Sequence, residues 1–234
     1  MIMIGRIHSF QSLGTVDGPG VRAVLFMQGC PLRCICCHNP DTWDVRAGRD
    51  ISVDEAFDKI YRLRSYFGKD GGVTVSGGEP LLQADFVSAL FEKCKDAGIN
   101  TALDTSGCVY NQKVDRLIDL CDLILLDYKY TDGAAYLKNV GMKKEQADAF
   151  LDVLEAKKKS VWIRQVIIPG INSDPESVKK LSALREIYAC IEKIELLPFR
   201  KLCIEKYQVL GIEFPLLNTP AADEELMKSL NNNL

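Results

Sequence analysis

Four cysteines lie close together in the sequence, with a spacing that suits metal chemistry. Cys30, Cys34 and Cys37 form a C-x3-C-x2-C pattern, and Cys36 stands beside the last of them. A 4Fe-4S cluster held entirely by protein takes four thiolates, so three would leave one iron open. Adjacent residues of an extended chain point in opposite directions, which predicts that Cys36 and Cys37 do not both bind one cluster. A structural zinc site is the alternative, although two C-x2-C pairs are missing.

Polar and glycine residues follow the other apolar runs of the sequence. They are Gly77, Gly78, Glu79, Asp104, Thr105, Asp127, Tyr128, Lys129 and Arg200, with Arg164 inside a run. Ligands gather at the carboxyl ends of parallel strands, so we expect these residues and the cysteines to form one composite site. Asp104 could instead only cap its turn. Arg164 in an apolar strand is expected to have a partner.

The apolar runs themselves predict six buried strands that alternate with helices. The strands cover Val21–Gln28, Val73–Val75, Thr101–Asp104, Leu123–Asp127, Val161–Ile168 and Lys193–Pro198. The first helix follows a capping box of Ser52 and Glu55, and the next ones cover Leu82–Ala97, Val114–Cys121, Glu145–Lys158 and Pro175–Tyr188. Such alternation produces a parallel sheet. A full barrel needs about 250 residues, so six units in 234 residues predict a partial (β/α)6 barrel. A flat doubly wound sheet is the alternative.

Length and composition limit the classes of protein. We predict a single domain over residues 1–234, with an N-terminal extension over 1–20 and a C-terminal tail from about 201. The net charge of -3 provides no strong field for nucleic acid or an anionic membrane. A signal peptide and a membrane-spanning apolar run are not expected. A soluble, cytoplasmic protein is therefore the default. An odd total of nine cysteines with a tight cluster argues against a disulfide framework and for metal binding. Cys94 and Cys121 follow helical apolar positions and are expected in the core.

The cysteine pattern after the first strand, with Gly77-Gly78-Glu79-Pro80 after the second, resembles the radical S-adenosylmethionine superfamily. Within it, the chain is similar to the glycyl-radical-enzyme activases that act on pyruvate formate-lyase. The segments that carry this similarity are 14–22, 37–43, 103–107, 161–164, 168–170 and 195–198. They extend along most of the sequence.

The resemblance implies a set of ligands and cofactors. Cys30, Cys34 and Cys37 would hold one 4Fe-4S cluster, whose open iron binds the methionine moiety of S-adenosylmethionine. The positions that match cofactor contacts are Cys36, Cys37, His38, Gly77, Gly78, Glu79, Asp127, Tyr128, Lys129, Arg164 and Arg200. Asp104, Thr105 and Asp127 match positions that hold a monovalent cation, for which oxygen ligands are suitable. Absent side chains at Gly77 and Gly78 would let the backbone approach the cofactor.

Two positions depart from the family pattern. Cys36 stands where an aromatic residue usually packs against the adenine, and a thiol offers less stacking area. Arg200 stands where a histidine often contacts the cofactor. Arginine can hydrogen-bond or stack, but the two side chains are not interchangeable.

The implied reaction is reductive cleavage of S-adenosylmethionine, after which a 5′-deoxyadenosyl radical removes hydrogen from a glycine of pyruvate formate-lyase. No cysteine lies between His38 and Ser76, where relatives serving several other glycyl radical enzymes carry extra cluster-binding insertions. A single cluster and pyruvate formate-lyase as the partner are therefore expected. A flavodoxin or ferredoxin would supply the electron, and the protein is expected to be a monomer. The alternatives are an activase of another glycyl radical enzyme and a non-catalytic cysteine-rich metal-binding protein.

Overall fold

The computed structural model describes residues 2–234 and has eight strands in one open, mostly parallel sheet. The strands are β1 (Ile4–Gly14), β2 (Arg22–Met27), β3 (Arg49–Ser52), β4 (Gly72–Gly77), β5 (Asn100–Thr105), β6 (Leu123–Asp127), β7 (Val161–Ile167) and β8 (Ile191–Pro198). Their order is β3-β1-β2-β4-β5-β6-β7-β8. β2 pairs in parallel with β4, β4 with β5, and β7 with β8, whereas β1 is antiparallel to both β2 and β3.

Nine α-helices connect or follow these strands in the described chain. They are α1 (Val53–Tyr61), α2 (Ala84–Asp96), α3 (Gln112–Leu120), α4 (Gly133–Val140), α5 (Lys144–Ala156), α6 (Pro175–Ser182), α7 (Leu184–Ile187), α8 (Ile204–Leu210) and α9 (Glu224–Asn231). Polar side chains cap several of them: Ser52 accepts a hydrogen bond from the Glu55 amide at the start of α1, and Asp174 accepts one from Ser177 at the start of α6. Such caps satisfy backbone amides that have no partner within the helix.

The chain divides into two compact units. The first comprises the residues up to Pro31 together with Thr42–Leu125, and the second comprises Leu32–Asp41 and Leu126–Leu234. The single-domain boundaries expected from the sequence stay a prediction.

A buried arginine holds the strands of the first unit together. Arg22 in β2 is fully buried, and its guanidinium donates to the Thr74 hydroxyl at 2.7 Å, the Val73 carbonyl at 2.8 Å and the Asn100 side chain at 2.9 Å. These acceptors belong to β4 and β5, so one side chain ties three neighbouring strands. Burial lowers the pKa of Arg22 to about 10, partly offset by Asp122 and Asp17.

All six predicted strands are present, each with ends within a few residues of the prediction. Cys94 and Cys121 are buried, as their helical spacing predicts. The stretch treated as an N-terminal extension contains β1, and the C-terminal tail contains α8 and α9. The predicted helix Pro175–Tyr188 is divided at Ala183 into α6 and α7. β1 was missed because its sequence lacks a continuous apolar run, as expected of an antiparallel strand that is not buried on both faces.

Candidate functional site

In the first unit, the loop that starts the cysteine motif is hydrogen-bonded to the glycine motif. β2 and β4 are in register up to the pair Met27 and Gly77, so both loops leave the sheet at the same level. The Gly78 amide donates to the Met27 carbonyl at 2.9 Å, and the Glu79 amide donates to the Gly29 carbonyl at 2.8 Å. Cys30 is therefore held beside the Gly77-Gly78-Glu79 turn by backbone contacts.

The two glycines of this turn are required by packing. Gly77 has φ +113°, and a Cβ there would lie 2.3 Å from the Met27 amide nitrogen. A Cβ on Gly78 would lie 2.3 Å from the Gly29 carbonyl oxygen. Both distances are too short for any side chain, so close approach between protein loops is one reason for glycine here. Both glycines stay half-exposed, which leaves their backbone available to a ligand.

Glu79 is buried, and its carboxylate is fully engaged with protein donors. It accepts from the Leu81 amide at 3.2 Å, the Thr105 hydroxyl at 2.6 Å, the Ser106 amide at 3.1 Å and the Ser106 hydroxyl at 2.5 Å. These bonds join the end of β4 to the end of β5. In this arrangement Glu79 positions the two loops, and a direct contact with a cofactor stays a prediction.

Two of the predicted cation ligands lie at the end of β5. The half-buried Asp104 accepts a hydrogen bond from Ser76 at 2.7 Å, and Thr105 is buried against Glu79. Each therefore has a protein partner on at least one of its side-chain oxygens.

Cys108 is a neighbour of this group that the sequence did not single out. It is half-buried and interacts with Glu79, Ser106 and Cys30; burial, with a further contribution from Glu79, raises its pKa to about 12. An isolated cysteine three residues beyond a strand gives no spacing signal, so only the fold places it near Cys30.

In the second unit, Cys34, Cys36 and Cys37 lie on one loop, residues 32–41, which we call the cysteine loop. The Cys37 amide donates to the Cys34 carbonyl at 3.1 Å, and this turn brings two predicted cluster ligands together. The Ile35 amide donates to the Asn139 carbonyl at 2.9 Å, which fixes the loop to the end of α4. Each of the three is a half-buried thiol that is not part of a disulfide.

A lysine accompanies these thiols. Burial raises the pKa of Cys34 to about 11 and that of Cys36 to about 12, although the positive charge of Lys129 acts in the opposite direction. Burial disfavours the charge of Lys129 itself, but its ion pair with Asp127 and the nearby thiols outweigh that effect and hold its pKa well above the ordinary value. Lys129 is thus a permanent positive charge beside the cysteine loop.

The Tyr128 side chain contacts helix α5. It is fully buried, and its hydroxyl donates to Asp148 in α5 at 2.6 Å. Its amide donates to the Arg164 carbonyl at 2.9 Å, so it links the end of β6 to β7. Arg164 is buried within β7, where its register partner in β8 is Glu195. The predicted cofactor contacts of Tyr128 and Arg164 stay predictions.

His38 and Arg200 are brought together through the backbone. The His38 ring nitrogen Nε2 lies 2.8 Å from the Arg200 carbonyl oxygen, which can only accept, so Nε2 carries the proton. The Arg200 side chain is exposed.

Helix α8 supplies two contacts that the sequence did not predict. Lys206 donates to the Asn39 side chain at 2.8 Å and pairs with Asp41 at 3.0 Å. The buried Tyr207 donates its hydroxyl to the Cys37 carbonyl at 3.2 Å. Residues 200–207, which we call the clamp, therefore hold the cysteine loop from Cys37 to Asp41.

The side chains at this site fit an iron–sulfur cluster in part. Half-buried thiols at a tight turn are suitable ligands. Cys30 belongs to the first unit, and Cys34 and Cys37 belong to the second. Among residues 2–234 no group of three or more His, Cys, Asp and Glu side chains is already assembled to hold a metal ion. The three-cysteine set therefore rests on sequence spacing. None of the helices within residues 2–234 has the length and apolarity needed to cross a membrane.

Comparisons with known proteins place these features in a family. Residues 16–147 match the profile of a family described as a 4Fe-4S single cluster domain. The chain is 42% identical over 234 residues to the pyruvate formate-lyase-activating enzyme of Clostridium pasteurianum, covering 100% of this chain and 98% of that one. It is 44% identical over 232 residues to the enzyme of the same name from Staphylococcus epidermidis, covering 96% and 92%.

Solved structures agree on the fold. A domain of a pyruvate-formate lyase-activating enzyme from Bacteroides vulgatus matches with a TM-score of 0.58 and 25% identity, over 70% of this chain and 92% of that one. A radical SAM methyltransferase from Sphaerobacter thermophilus matches with a TM-score of 0.65 and 14% identity, over 91% and 63%. The partial (β/α)6 barrel predicted from the alternating strands and helices is confirmed as the fold class.

Proposed function

Because the chain belongs to the pyruvate formate-lyase-activating enzymes of the radical S-adenosylmethionine superfamily, we propose that Cys30, Cys34 and Cys37 hold the 4Fe-4S cluster of this reaction. The protein activates pyruvate formate-lyase (formate C-acetyltransferase), and its cofactors are a 4Fe-4S cluster and S-adenosylmethionine. When bound and reduced, these cofactors supply the radical that takes a hydrogen atom from a glycine of the partner. The chain's own residues bind, orient and shield them.

The spacing of the cysteines carries the ligand assignment, and the turn that joins Cys34 and Cys37 supports it. Cys34 and Cys37 are joined by one turn, and Cys36 stands directly before Cys37 in the sequence. Cys30 follows β2 directly and is fixed by the glycine turn. Three protein ligands would leave one coordination position for S-adenosylmethionine, so Cys36 is assigned to the cofactor side of the loop.

The first unit would bind the methionine end of the cofactor. Half-exposed backbone at Gly77 and Gly78 offers hydrogen-bonding groups, and Glu79 keeps both loops in place. Asp104 and Thr105 present oxygen atoms at the end of β5, and with Asp127 they would hold a monovalent cation beside the cofactor carboxylate.

The second unit would supply positively charged side chains and the rings of Tyr128 and His38. Lys129 is suited to the cofactor carboxylate because its charge persists at any ordinary pH. Arg164 and the exposed Arg200 would hydrogen-bond polar groups of the cofactor, and Tyr128 would act by positioning β6. His38 lies on the cysteine loop, where its ring is held against Arg200.

Anaerobic activation tests the function directly. The reconstituted, photoreduced protein, mixed with S-adenosylmethionine and pyruvate formate-lyase, should produce a glycyl radical in electron paramagnetic resonance. A formate-lyase with its radical glycine changed to alanine is the control and should stay silent. A radical on a different glycyl radical enzyme, with none on formate-lyase, would contradict the assignment.

Three further features of the setting belong to the same proposal. The electron would come from a flavodoxin or ferredoxin, since the chain carries ligands for one cluster and no second redox group is expected. The protein would act as a monomer that meets its partner transiently. A cytoplasmic location is supported by the nine cysteines, an odd total that does not suit a disulfide framework.

A further inference from the structure

We infer that Lys206 and Tyr207 of the clamp are positioning residues for the cluster, acting through the backbone of the cysteine loop. The inference rests on the proposed function, because it assigns these residues a role toward the cluster ligands. It begins from two neighbouring residues of α8 that reach the same loop at different points.

Tyr207 acts on a ligand residue itself. Its hydroxyl donates to the carbonyl of Cys37 at 3.2 Å, and its buried ring packs against Phe214 with centroids 4.8 Å apart. The ring packing fixes the direction of the hydroxyl. The positive end of the O–H dipole therefore points at the peptide group of a cluster ligand, where it favours the more negative, reduced cluster.

Lys206 fixes the segment that leaves this ligand. Its ammonium lies 2.8 Å from the Asn39 side-chain oxygen and 3.0 Å from an Asp41 carboxylate oxygen, so one charge joins two points of the loop. Lys206 and Asp41 are each about one-third exposed, at 34% and 27%, which makes the pair firmer than a surface ion pair. The backbone from Cys37 to Asp41 is thereby held at its start and at its end.

The clamp is built from unrelated contacts, which argues against a chance arrangement. The His38 ring is bonded to the Arg200 carbonyl at 2.8 Å, which is a further contact between the clamp and the loop. A ligand backbone held in this way keeps its sulfur in place when the cluster changes charge. Outer-shell partners of metal ligands typically alter metal affinity by about 10- to 100-fold.

The experiment compares iron release and redox potential in four reconstituted full-length variants. Lys206→Met should release iron to a chelator about tenfold faster than the wild type, and Lys206→Arg should restore the wild-type rate. Tyr207→Phe keeps the ring but loses the hydroxyl, so its cluster midpoint potential should become more negative. Tyr188→Phe is its matched control, since that hydroxyl donates to Asp152 at 2.8 Å and contacts no part of the loop, and it should behave as the wild type.

Wild-type iron release in Lys206→Met together with a wild-type potential in Tyr207→Phe would overturn the inference. Equal changes in Tyr188→Phe would also overturn it, because they would indicate general loosening. If Lys206→Met does not fold, the potential of Tyr207→Phe decides alone. If the variants differ from the wild type in potential as expected, but the wild type never forms a glycyl radical, the proposed function is contradicted and the inference about the clamp is not. A wild type that forms the radical while the variants are unchanged contradicts the clamp alone.

Discussion

The four clustered thiols differ in their surroundings although they are similar in sequence. Cys34 and Cys37 share a turn, and Cys37 is also bonded through its carbonyl to Tyr207. Burial raises the pKa of Cys36 to about 12 and that of Cys34 to about 11, and Lys129 acts against both shifts. A thiol with so high a pKa is a neutral packing group unless a metal removes its proton.

At the residue scale, the spacing of the four cysteines predicts that their alanine variants differ in iron content. Cys30→Ala, Cys34→Ala and Cys37→Ala should each lose the cluster, because three thiolates are the minimum set. Cys36→Ala should keep its iron and bind S-adenosylmethionine at most somewhat more weakly. Iron and sulfide analysis after anaerobic reconstitution measures this. Loss of iron in Cys36→Ala, with retention in one of the other three, would reverse the assignment.

A second prediction at this scale concerns the acidic residues. Asp127→Ala removes the partner of Lys129, and Asp104→Ala removes the acceptor of Ser76. Each should raise the Kd of S-adenosylmethionine about tenfold, equivalent to about 1.4 kcal/mol, through loss of cation ligands. Asp174→Ala, which removes only the cap of α6, is the matched control. Activity that is unchanged when potassium and sodium give way to a bulky organic cation would exclude the cation site.

At the element scale, the loops that follow β2 and β4 are joined by backbone hydrogen bonds. The Gly78 and Glu79 amides bond back to Met27 and Gly29, and the carboxylate of Glu79 then reaches the end of β5. Three strand ends are therefore fixed together before any cofactor binds. Disturbing one of these strand ends should therefore lower the free energy of unfolding and also weaken S-adenosylmethionine binding.

The prediction that follows is made on Gly78. An alanine Cβ there would meet the Gly29 carbonyl oxygen at 2.3 Å, so Gly78→Ala should lower the free energy of unfolding by about 2 kcal/mol. It should also weaken S-adenosylmethionine binding by displacing the Cys30 loop. Gly133→Ala is the control, because nothing lies within 4 Å of its Cβ. Urea unfolding of both variants measures the difference, and equal midpoints would show that the turn relaxes without cost.

At the scale of the whole molecule, the number of cysteines available for clusters is limited. Cys94, Cys121 and Cys203 are buried in the described structure, and Cys190 lies at the start of β8 with its amide bonded to Glu155. None of these belongs to a second closely spaced set. Cys108 lies near Cys30 but has no cysteine at cluster spacing beside it in the sequence, so we expect ligands for one cluster.

Reconstitution should accordingly yield about four irons per chain, with the spectrum of a single 4Fe-4S cluster. A peptide spanning the radical glycine of pyruvate formate-lyase should be a slow substrate, because the glycine has to leave its own protein to be reached. Chain-normalised iron analysis and Mössbauer spectroscopy provide the count. Eight or more irons in two clusters would contradict the prediction.

The sequence by itself indicated the chemistry and the order of six of the eight strands, although β1 and β3 were missed. The C-x3-C-x2-C spacing is local, and a local turn such as that between Cys34 and Cys37 follows from a few neighbouring residues. Apolar runs alternating with helical patterns likewise report burial along the chain, so all six parallel strands could be predicted. The positions of Gly77, Asp104 and Lys129 at strand ends follow from those two facts.

Only the tertiary structure decided how these residues are held. The contact from Lys206 to Asn39 joins residues 167 positions apart, and no periodicity encodes such a pair. The role of Glu79 depends on its burial beside Ser106, and the reason for Gly78 is the carbonyl of Gly29. Spacing specifies which groups a segment offers, whereas the partner of each group is set by packing between segments that are distant in the chain.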